Sequence, residues 1–116
     1  MKGININCRE VDYIELMFSG KVIETRGKNT LKSLVGQRVG LIRTGCGKAT
    51  LEGYADIIGV VVYRTLEEFR ADYGRHLVKP GSKYDFKGIK YGYVLNNVER
   101  CEPRKVTSRG IVIRNI

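Results

Sequence analysis

The sequence of 116 residues has no tryptophan, two prolines and a single histidine. Its three cysteines, Cys8, Cys46 and Cys101, are odd in number and far apart, and none lies in a C-x-x-C spacing. This pattern argues against a disulfide framework and against a zinc site. With His76 as the one imidazole, we expect no metal centre, no cofactor and reduced thiols, and we expect His76 to be an ordinary surface residue.

The sequence also lacks a long apolar run. The longest, Ile57 to Tyr63, includes Gly59 and is far too short to span a bilayer. The N-terminus lacks the basic-then-apolar pattern of a signal peptide. These absences predict a cytoplasmic protein with no membrane partner. The length and a hydrophobic content of 42% predict a single globular domain over residues 1–116, and we favour a monomer.

Acidic residues are scarce in the last third of the chain. The whole sequence has 21 Lys and Arg against 12 Asp and Glu, a net charge of +9. Residues 1–74 have eleven basic and nine acidic groups, a net of +2, whereas residues 75–116 have ten and three, a net of +7. An excess of this kind favours a polyanionic partner, most often nucleic acid. A basic surface that serves only solubility is an equally good interpretation of charge alone.

Two helical segments are indicated by their capping residues. Asn7 with Glu10 resembles a capping box, and Gly20 is a usual stop, so we predict a helix over 8–19. Thr65 to Glu68 is a second capping box, and we expect its helix to end at Gly74.

Strands account for most of the remaining chain. We predict that 49–63 is one long strand or two joined by a bend, with candidate bulges at Gly53 and Gly59, and that Pro103 ends the strand beginning at 91. The predicted strands are 1–6, 22–26, 37–43, 49–63, 91–98 and 110–113. Because βαβ alternation is largely absent, the fold class is mainly β (α+β), a small closed or half-closed barrel of about six strands with two or three short helices.

The strand that follows the first helix contains the main candidate site. Side chains alternate along a strand, so Glu24 and Arg26 share a face, with Lys21 at its entrance. Such a cluster binds a polar ligand between its charges or forms a structural salt bridge. If Lys21 is desolvated near Arg26, its lowered pKa would let it act as a base or as an activator of a nucleophile.

Further binding candidates lie in the basic part of the chain. Aromatic residues interleaved with lysines are typical of proteins that stack nucleobases, although Tyr91 and Tyr93 are equally suited to the core. Gly45-Cys46-Gly47-Lys48 fails the phosphate-loop pattern and predicts a hairpin turn, beside which Lys48 lines a groove. The binding candidates, besides Arg26, are Lys28, Lys48, Tyr84, Tyr91, Tyr93, Ser108 and Arg109.

Two separated motifs resemble those of ASCH domains in the PUA-like superfamily. The first is a short helix ending in Ser19-Gly20-Lys21 and followed by a strand of the form Lys-x-x-Glu-x-Arg. The second is the strand Tyr91 to Val98, followed by Pro103 and Ser108-Arg109-Gly110. The resemblance implies a PUA-like β-barrel with a cleft beside the strand of the first motif, Lys-x-x-Glu-x-Arg. Two features depart from the family: Ser19 occupies a usual glycine position, and the C-terminal tryptophan is missing.

The resemblance implies an RNA-linked role in the cleft of Lys21, Glu24 and Arg26. We expect binding of RNA, a nucleotide or a modified nucleoside. The alternative is a small hydrolase with catalytic Lys21 and Glu24, either an N4-acetylcytidine amidohydrolase or a ribonuclease. The amidase branch of the family has threonine where this chain has Glu24, so that match is incomplete. A third interpretation is a protein-interaction adaptor that uses the same basic face.

Overall fold

The computed structural model describes residues 1–116, which form six strands, three short α-helices and one 3₁₀ turn. No helix has the length and apolar character needed to cross a membrane. In chain order the elements are β1 (Lys2–Asn7), α1 (Tyr13–Ser19), β2 (Ile23–Arg26), the 3₁₀ turn (Lys32–Leu34), β3 (Arg38–Thr44), β4 (Thr50–Tyr63), α2 (Leu66–Ala71), α3 (Tyr73–His76), β5 (Lys90–Lys105) and β6 (Ile113–Asn115).

The six strands form one mixed sheet in the order β2-β5-β4-β3-β1-β6. β1 and β3 are parallel, and every other neighbouring pair is antiparallel. The predicted fold class, mainly β with six strands and short helices, is confirmed, and the sheet stays open rather than closing into a complete barrel. As predicted, β4 is one long strand, and its pairing with β5 shifts register next to Gly53 and Gly59.

The hydrophobic core lies where α1 packs on the sheet. Ile14 of α1, Ile4 of β1 and Ile57 of β4 are fully buried members of one cluster that continues into β3 and β5. A smaller cluster of Tyr63, Phe69 and Val78 lies where α2 packs against the end of β4.

The first helix is shorter than predicted. β1 continues to Asn7, whose side chain accepts a hydrogen bond from the Arg9 N–H in a local turn. Asp12 is the actual N-cap, since its carboxylate accepts from the Glu15 N–H at 3.1 Å. The predicted stop is confirmed, because Gly20 has a φ of 144° and its N–H donates to the Leu16 carbonyl.

The second helical region is divided into two turns. The capping box of Thr65 and Glu68 is present and begins α2. The prediction that Gly74 ends the helix is wrong: α2 ends at Ala71 with Asp72 as its C-cap, and Gly74 lies inside α3. The C-cap of α3 is Leu77, which has a left-handed φ of 58°. This additional turn determines the position of the His76 carbonyl group, which is used in the site.

Pro103 does not end β5, contrary to the prediction. Leu51 pairs with Arg104 and Gly53 with Arg100, so three residues of β5 lie opposite Glu52 alone. In such a bulge the missing N–H of proline removes no ladder hydrogen bond.

The last strand is also shorter than predicted, because β6 begins at Ile113 rather than at Gly110. The Asn5 amide donates to the carbonyl groups of Gly110 and Ile111, at 2.9 and 2.8 Å. These two bonds hold Gly110 and Ile111 in a loop before β6.

Candidate functional site

The junction between α1 and β2 places the charged residues. After the stop at Gly20, the Lys21 N–H donates to the Leu16 carbonyl at 2.7 Å, so the chain turns directly from the helix into the strand. β2 pairs antiparallel with β5, and its side chains alternate as expected. Ile23 is fully buried on one face of the strand, whereas Glu24 and Arg26 lie on the other face. That face is the wall of a cleft.

The cleft has a volume of about 280 Å³ and lies between β2, the end of β1, the 77–90 connection and the 110–111 loop. Its lining combines charged and aromatic groups with three apolar residues, Ile6, Val78 and Ile111. Ile111 stands at the mouth and is 95% exposed. The charged and aromatic residues of the lining are Lys21, Glu24, Arg26, Lys90, Tyr13 and Tyr84.

Lys21 lies at the buried end of this group, with only 1% of its surface exposed. Its Nζ donates to the His76 carbonyl, lies 3.9 Å from Glu24 Oε1 and stands 4.8 Å from the centre of the Tyr13 ring. Burial lowers the pKa of Lys21 to about 8, with the nearby Lys90 and Arg26 acting in the same direction and Glu24 opposing them. A lysine with this pKa exchanges its proton near neutral pH.

His76 holds the carbonyl group that orients Lys21. The prediction of a surface residue is wrong, because the His76 ring is fully buried and stacks on Phe69 with ring centres 4.0 Å apart. Nδ1 accepts from the Val78 N–H at 2.9 Å, so Nε2 has the proton and donates to the Phe69 carbonyl at 2.7 Å. Burial lowers the pKa of His76, which keeps the ring neutral and in its structural role.

Glu24 and Arg26 form an ion pair next to Lys21. Arg26 Nη2 lies 3.0 Å from Glu24 Oε2 and donates to the Asn5 carbonyl at 2.7 Å. Arg26 Nε is buried without a hydrogen-bond partner. The Glu24 carboxylate therefore lies between the Lys21 ammonium and the Arg26 guanidinium, and part of the donor capacity of Arg26 is unused.

Lys90 adds a third cation at the start of β5. It is 8% exposed, and its Nζ has no hydrogen-bond or ion-pair partner in the protein. Burial lowers the pKa of Lys90, with Glu24 opposing and Lys87 adding to the shift. Three cations, Lys21, Arg26 and Lys90, thus surround the single carboxylate of Glu24, a net of +2 when all four are ionised. Chemically, the cleft is suited to an anionic or hydrogen-bonding planar ligand.

The fold is similar to that of known crystal structures. ASCH from Zymomonas mobilis superposes with a TM-score of 0.68 at 17% identity, over 90% of this chain and 73% of that one. A Ser-to-Ala mutant of the same protein gives 0.67 at 18% identity over 89% and 73%, and a Tyr-to-Phe mutant gives 0.68 at 19% over 91% and 77%. This chain has the ASCH fold. No protein-family model and no curated protein matches its sequence.

Of the predicted aromatic candidates, the ASCH fold places only Tyr84 in the cleft. Tyr84 meets Tyr13 edge to face, with ring centres 6.0 Å apart at 68°. Tyr93 is fully buried, and its hydroxyl group donates to Asn29 Oδ1 at 2.5 Å and accepts from the Leu31 N–H at 3.1 Å. Tyr91 is half-buried and packs against the core. Both therefore belong to the packing of this ASCH fold, the alternative that the sequence had left open.

The remaining predicted binding residues lie outside the cleft of the ASCH fold. Lys28 is exposed after β2, and Lys48 is exposed in the β3–β4 hairpin. Ser108 donates to the Asn115 carbonyl and accepts from Arg114 at its own carbonyl, so it braces the C-terminal loop. Arg109 is exposed beside it. None of these four lines the cavity.

Sequence reasoning missed Lys90 and Tyr13 as members of the site. Lys90 was visible only as one of several lysines in the basic connection, and nothing local distinguishes it. Tyr13 begins α1, and a correct assignment of Asp12 as the cap would have placed it on the buried face about two turns before the junction. Asn5 was also missed, although its backbone carbonyl positions Arg26 and its amide holds the cleft-side loop.

Proposed function

We propose that this protein binds RNA or a nucleotide, and that it recognises a base or phosphate in the cleft lined by Lys21, Glu24 and Arg26. One observation carries the proposal: Lys21, Glu24 and Arg26 converge with two tyrosine rings on one concave site. The two positive charges of this cluster exceed the one negative charge of its carboxylate. A structural salt bridge would need neither the cavity nor the excess.

Each group has a role that its chemistry supports. The tyrosine rings of Tyr13 and Tyr84 offer apolar faces for a nucleobase, and stacking of this kind contributes about 1–3 kcal/mol per base. Glu24 accepts from an exocyclic amine of the base. Lys21 and the unused donor of Arg26 bind the anionic part of the ligand.

The basic surface next to the cleft supports an extended nucleic-acid ligand. A second groove adjoins the cleft, and its charged lining residues are Lys83, Lys87, Lys90 and the single acidic residue Asp85. Lys83 and Lys87 are exposed, and the segment from residue 75 onward contributes +7 of the net charge. Lysines in such a groove attract phosphates irrespective of base sequence.

The test is a salt titration of RNA binding. We expect fluorescence anisotropy with a labelled single-stranded ten-nucleotide RNA to show affinity that falls steeply as salt rises, because phosphate contacts release counterions. Lys21→Met should weaken binding, whereas Arg64→Gln, which removes an exposed charge outside the cleft, should leave it almost unchanged. If neither RNA nor a nucleotide binds at low salt, the proposal is wrong. Equal competition by unrelated polyanions such as heparin would instead favour the adaptor interpretation.

A hydrolase in the same cleft is the second candidate, and the low pKa of Lys21 favours it. With a pKa of about 8, a useful fraction of Lys21 is the neutral amine, which can accept a proton from water as the oxygen adds to an acyl carbon. The leaving nitrogen of the substrate then takes up a proton, with Glu24 as the second group in proton transfer. Arg26 would stabilise the negative charge that develops on the acyl oxygen.

Turnover assays separate the two candidates. The protein is incubated with N4-acetylcytidine and, separately, with a short RNA, beside a Lys21→Ala control. Turnover that the substitution abolishes, with a rate that rises with pH toward 8, supports the hydrolase. Tight binding without turnover supports the binding module.

A further inference from the structure

Lys90 is the one buried cation of the cleft without a partner of its own. Lys21 donates to the His76 carbonyl, and Arg26 has an ion pair with Glu24. Lys90 Nζ makes neither kind of contact and stands 5.8 Å from the centre of the Phe69 ring, although only 8% of the residue is exposed. The Nζ atom itself stays in contact with solvent, so an anionic ligand can reach this ammonium without displacing a protein acceptor.

The position of Lys90 is also particular. It is the first residue of β5, and it lines both the cleft and the adjoining groove of Lys83 and Lys87. Gly27, the residue after β2, is the other residue common to the two cavities. Lys90 therefore stands at the junction between the aromatic cleft and the basic groove.

A second donor in the same cleft is also unused. Arg26 Nε is buried and has no acceptor, and Glu24 already contacts both Lys21 and Arg26. The carboxylate therefore cannot neutralise Lys90 as well, and the group leaves two cationic donors unfilled. A phosphate ester has several charged oxygens and can accept from more than one of these donors, whereas a neutral nucleoside cannot offset their charge.

We propose that Lys90 is the phosphate-recognising residue of the cleft, and that the ligand is a phosphorylated nucleotide rather than a neutral nucleoside. This inference rests on the proposed function and deepens it. The base occupies the side of Tyr13 and Tyr84, and its phosphate lies at the junction by Lys90. The same phosphate chemistry occurs in a free nucleotide and inside a strand that continues along the groove.

The experiment compares matched ligands by calorimetry or competition. Binding affinities are measured for wild type, Lys90→Met and Lys79→Met. The ligands are cytidine, cytidine monophosphate, the dinucleotide CpC, inorganic phosphate, adenosine and adenosine monophosphate. Lys79 is an exposed lysine outside both cavities, so its substitution removes the same charge without touching the site. We expect each monophosphate to bind wild type at least about tenfold more tightly than its nucleoside, which is the effect of one charge-assisted hydrogen bond.

Lys90→Met should reduce that ratio to within about twofold, and Lys79→Met should keep the ratio of wild type. If CpC binds more tightly than cytidine monophosphate, the site recognises a phosphate within a strand. If inorganic phosphate alone competes with the nucleotide, the site recognises a free phosphate. Lys90→Arg should retain discrimination. If Lys90→Met does not fold, as judged by its thermal melt, Lys90→Gln replaces it.

Failure of this inference and failure of the proposed function give different results. If wild type binds nucleosides and their monophosphates equally, the phosphate inference is wrong while the proposed function stands. If Lys79→Met loses as much discrimination as Lys90→Met, the effect is general surface charge and Lys90 has no special role. If no nucleoside, nucleotide or RNA binds, the proposed function is itself wrong.

Discussion

Two clusters of charged side chains lie on this sheet, and they differ in whether their charges balance. In the first, Arg43 contacts Glu52 through Nε at 2.8 Å and Asp12 through Nη1 at 3.0 Å. Glu52 also accepts from the Thr50 hydroxyl at 2.8 Å. The bond to Glu52 is the largest cause of a raised pKa of Arg43, and the bond to Asp12 adds to it. Burial alone would raise the pKa of Asp12, but the bonds from Arg43 and the Glu15 N–H lower it. Every charged group in this cluster has a protein partner.

The second cluster is the cleft, where the balance is not reached. Lys21, Arg26 and Lys90 share the one carboxylate of Glu24, and Lys90 has no partner. Instead of strengthening its charge, the surroundings lower the pKa of Lys21 to about 8. The comparison teaches that an ion-pair cluster completed within the protein serves stability, whereas an incomplete one in a concave site is suited to binding.

The largest expected effect is on stability at the completed cluster. Arg43→Met leaves the carboxylates of Asp12 and Glu52 without their cation. Because this ion-pair cluster is only partly exposed, we expect the free energy of unfolding to fall by about 2 kcal/mol. Urea denaturation measures it, with the exposed Arg64→Met as control, for which the change should stay within about 0.5 kcal/mol. Binding of cytidine monophosphate by Arg43→Met should match that of wild type. An unchanged unfolding curve would remove the contrast between the clusters.

At the cleft the effect should fall on binding instead. Lys21→Met removes a cation next to the ligand, and we expect about a tenfold loss of affinity for cytidine monophosphate, or about 1.4 kcal/mol. Stability should change by less than about 1 kcal/mol, because relief from burying the ammonium offsets the bonds lost to His76 and Glu24. Calorimetry and urea denaturation are run on the same sample. A stability loss as large as that of Arg43→Met, with affinity unchanged, would make Lys21 a structural residue.

A smaller effect, of a few fold, is expected from pH. The pKa of Lys21 is about 8 in the folded protein and 10.5 as a free side chain, so the folded protein without ligand loses this charge as pH rises from 7 to 9, and nucleotide affinity should fall. Stability responds with the opposite sign. Because the folded-state pKa is the lower one, the unfolded chain holds more protons between about pH 8 and 10.5, and the contribution of Lys21 to stability rises there. Both trends should be absent from Lys21→Met, so they should remain as the difference between wild type and that variant.

The smallest effect concerns the exposed lysines outside the cleft. Lys48→Met in the β3–β4 hairpin should change the affinity for cytidine monophosphate by less than about twofold, since the side chain does not reach the cavity. With a longer RNA, the same variant should lower the salt slope by about one if Lys48 contacts a phosphate. An unchanged slope would confine the RNA footprint to the cleft side of the sheet. Lys28→Met gives the matching measurement after β2.

Much of the local structure was predictable because its causes are local. The stop at Gly20 and the capping box of Thr65 and Glu68 depend on residues within one or two turns of chain. Glycine within a strand pattern also marked the bulges beside Gly53 and Gly59, although their geometry arises in the pairing with β5. The helix start was not predictable from Asn7, because a six-residue strand paired to β3 extends through that position. Strand pairing over a long sequence distance overrode a local capping signal.

By itself, the sequence determined that Glu24 and Arg26 share a face and that Lys21 stands at the junction before them, since strand alternation and a helix stop are properties of neighbouring residues. Only the tertiary structure decided that Lys90 joins them, that Tyr93 belongs to the core, and that the His76 carbonyl faces the Lys21 ammonium. These contacts cross more than fifty residues of chain, and burial, which determines the pKa of Lys21, exists only once the strands have paired in their final order.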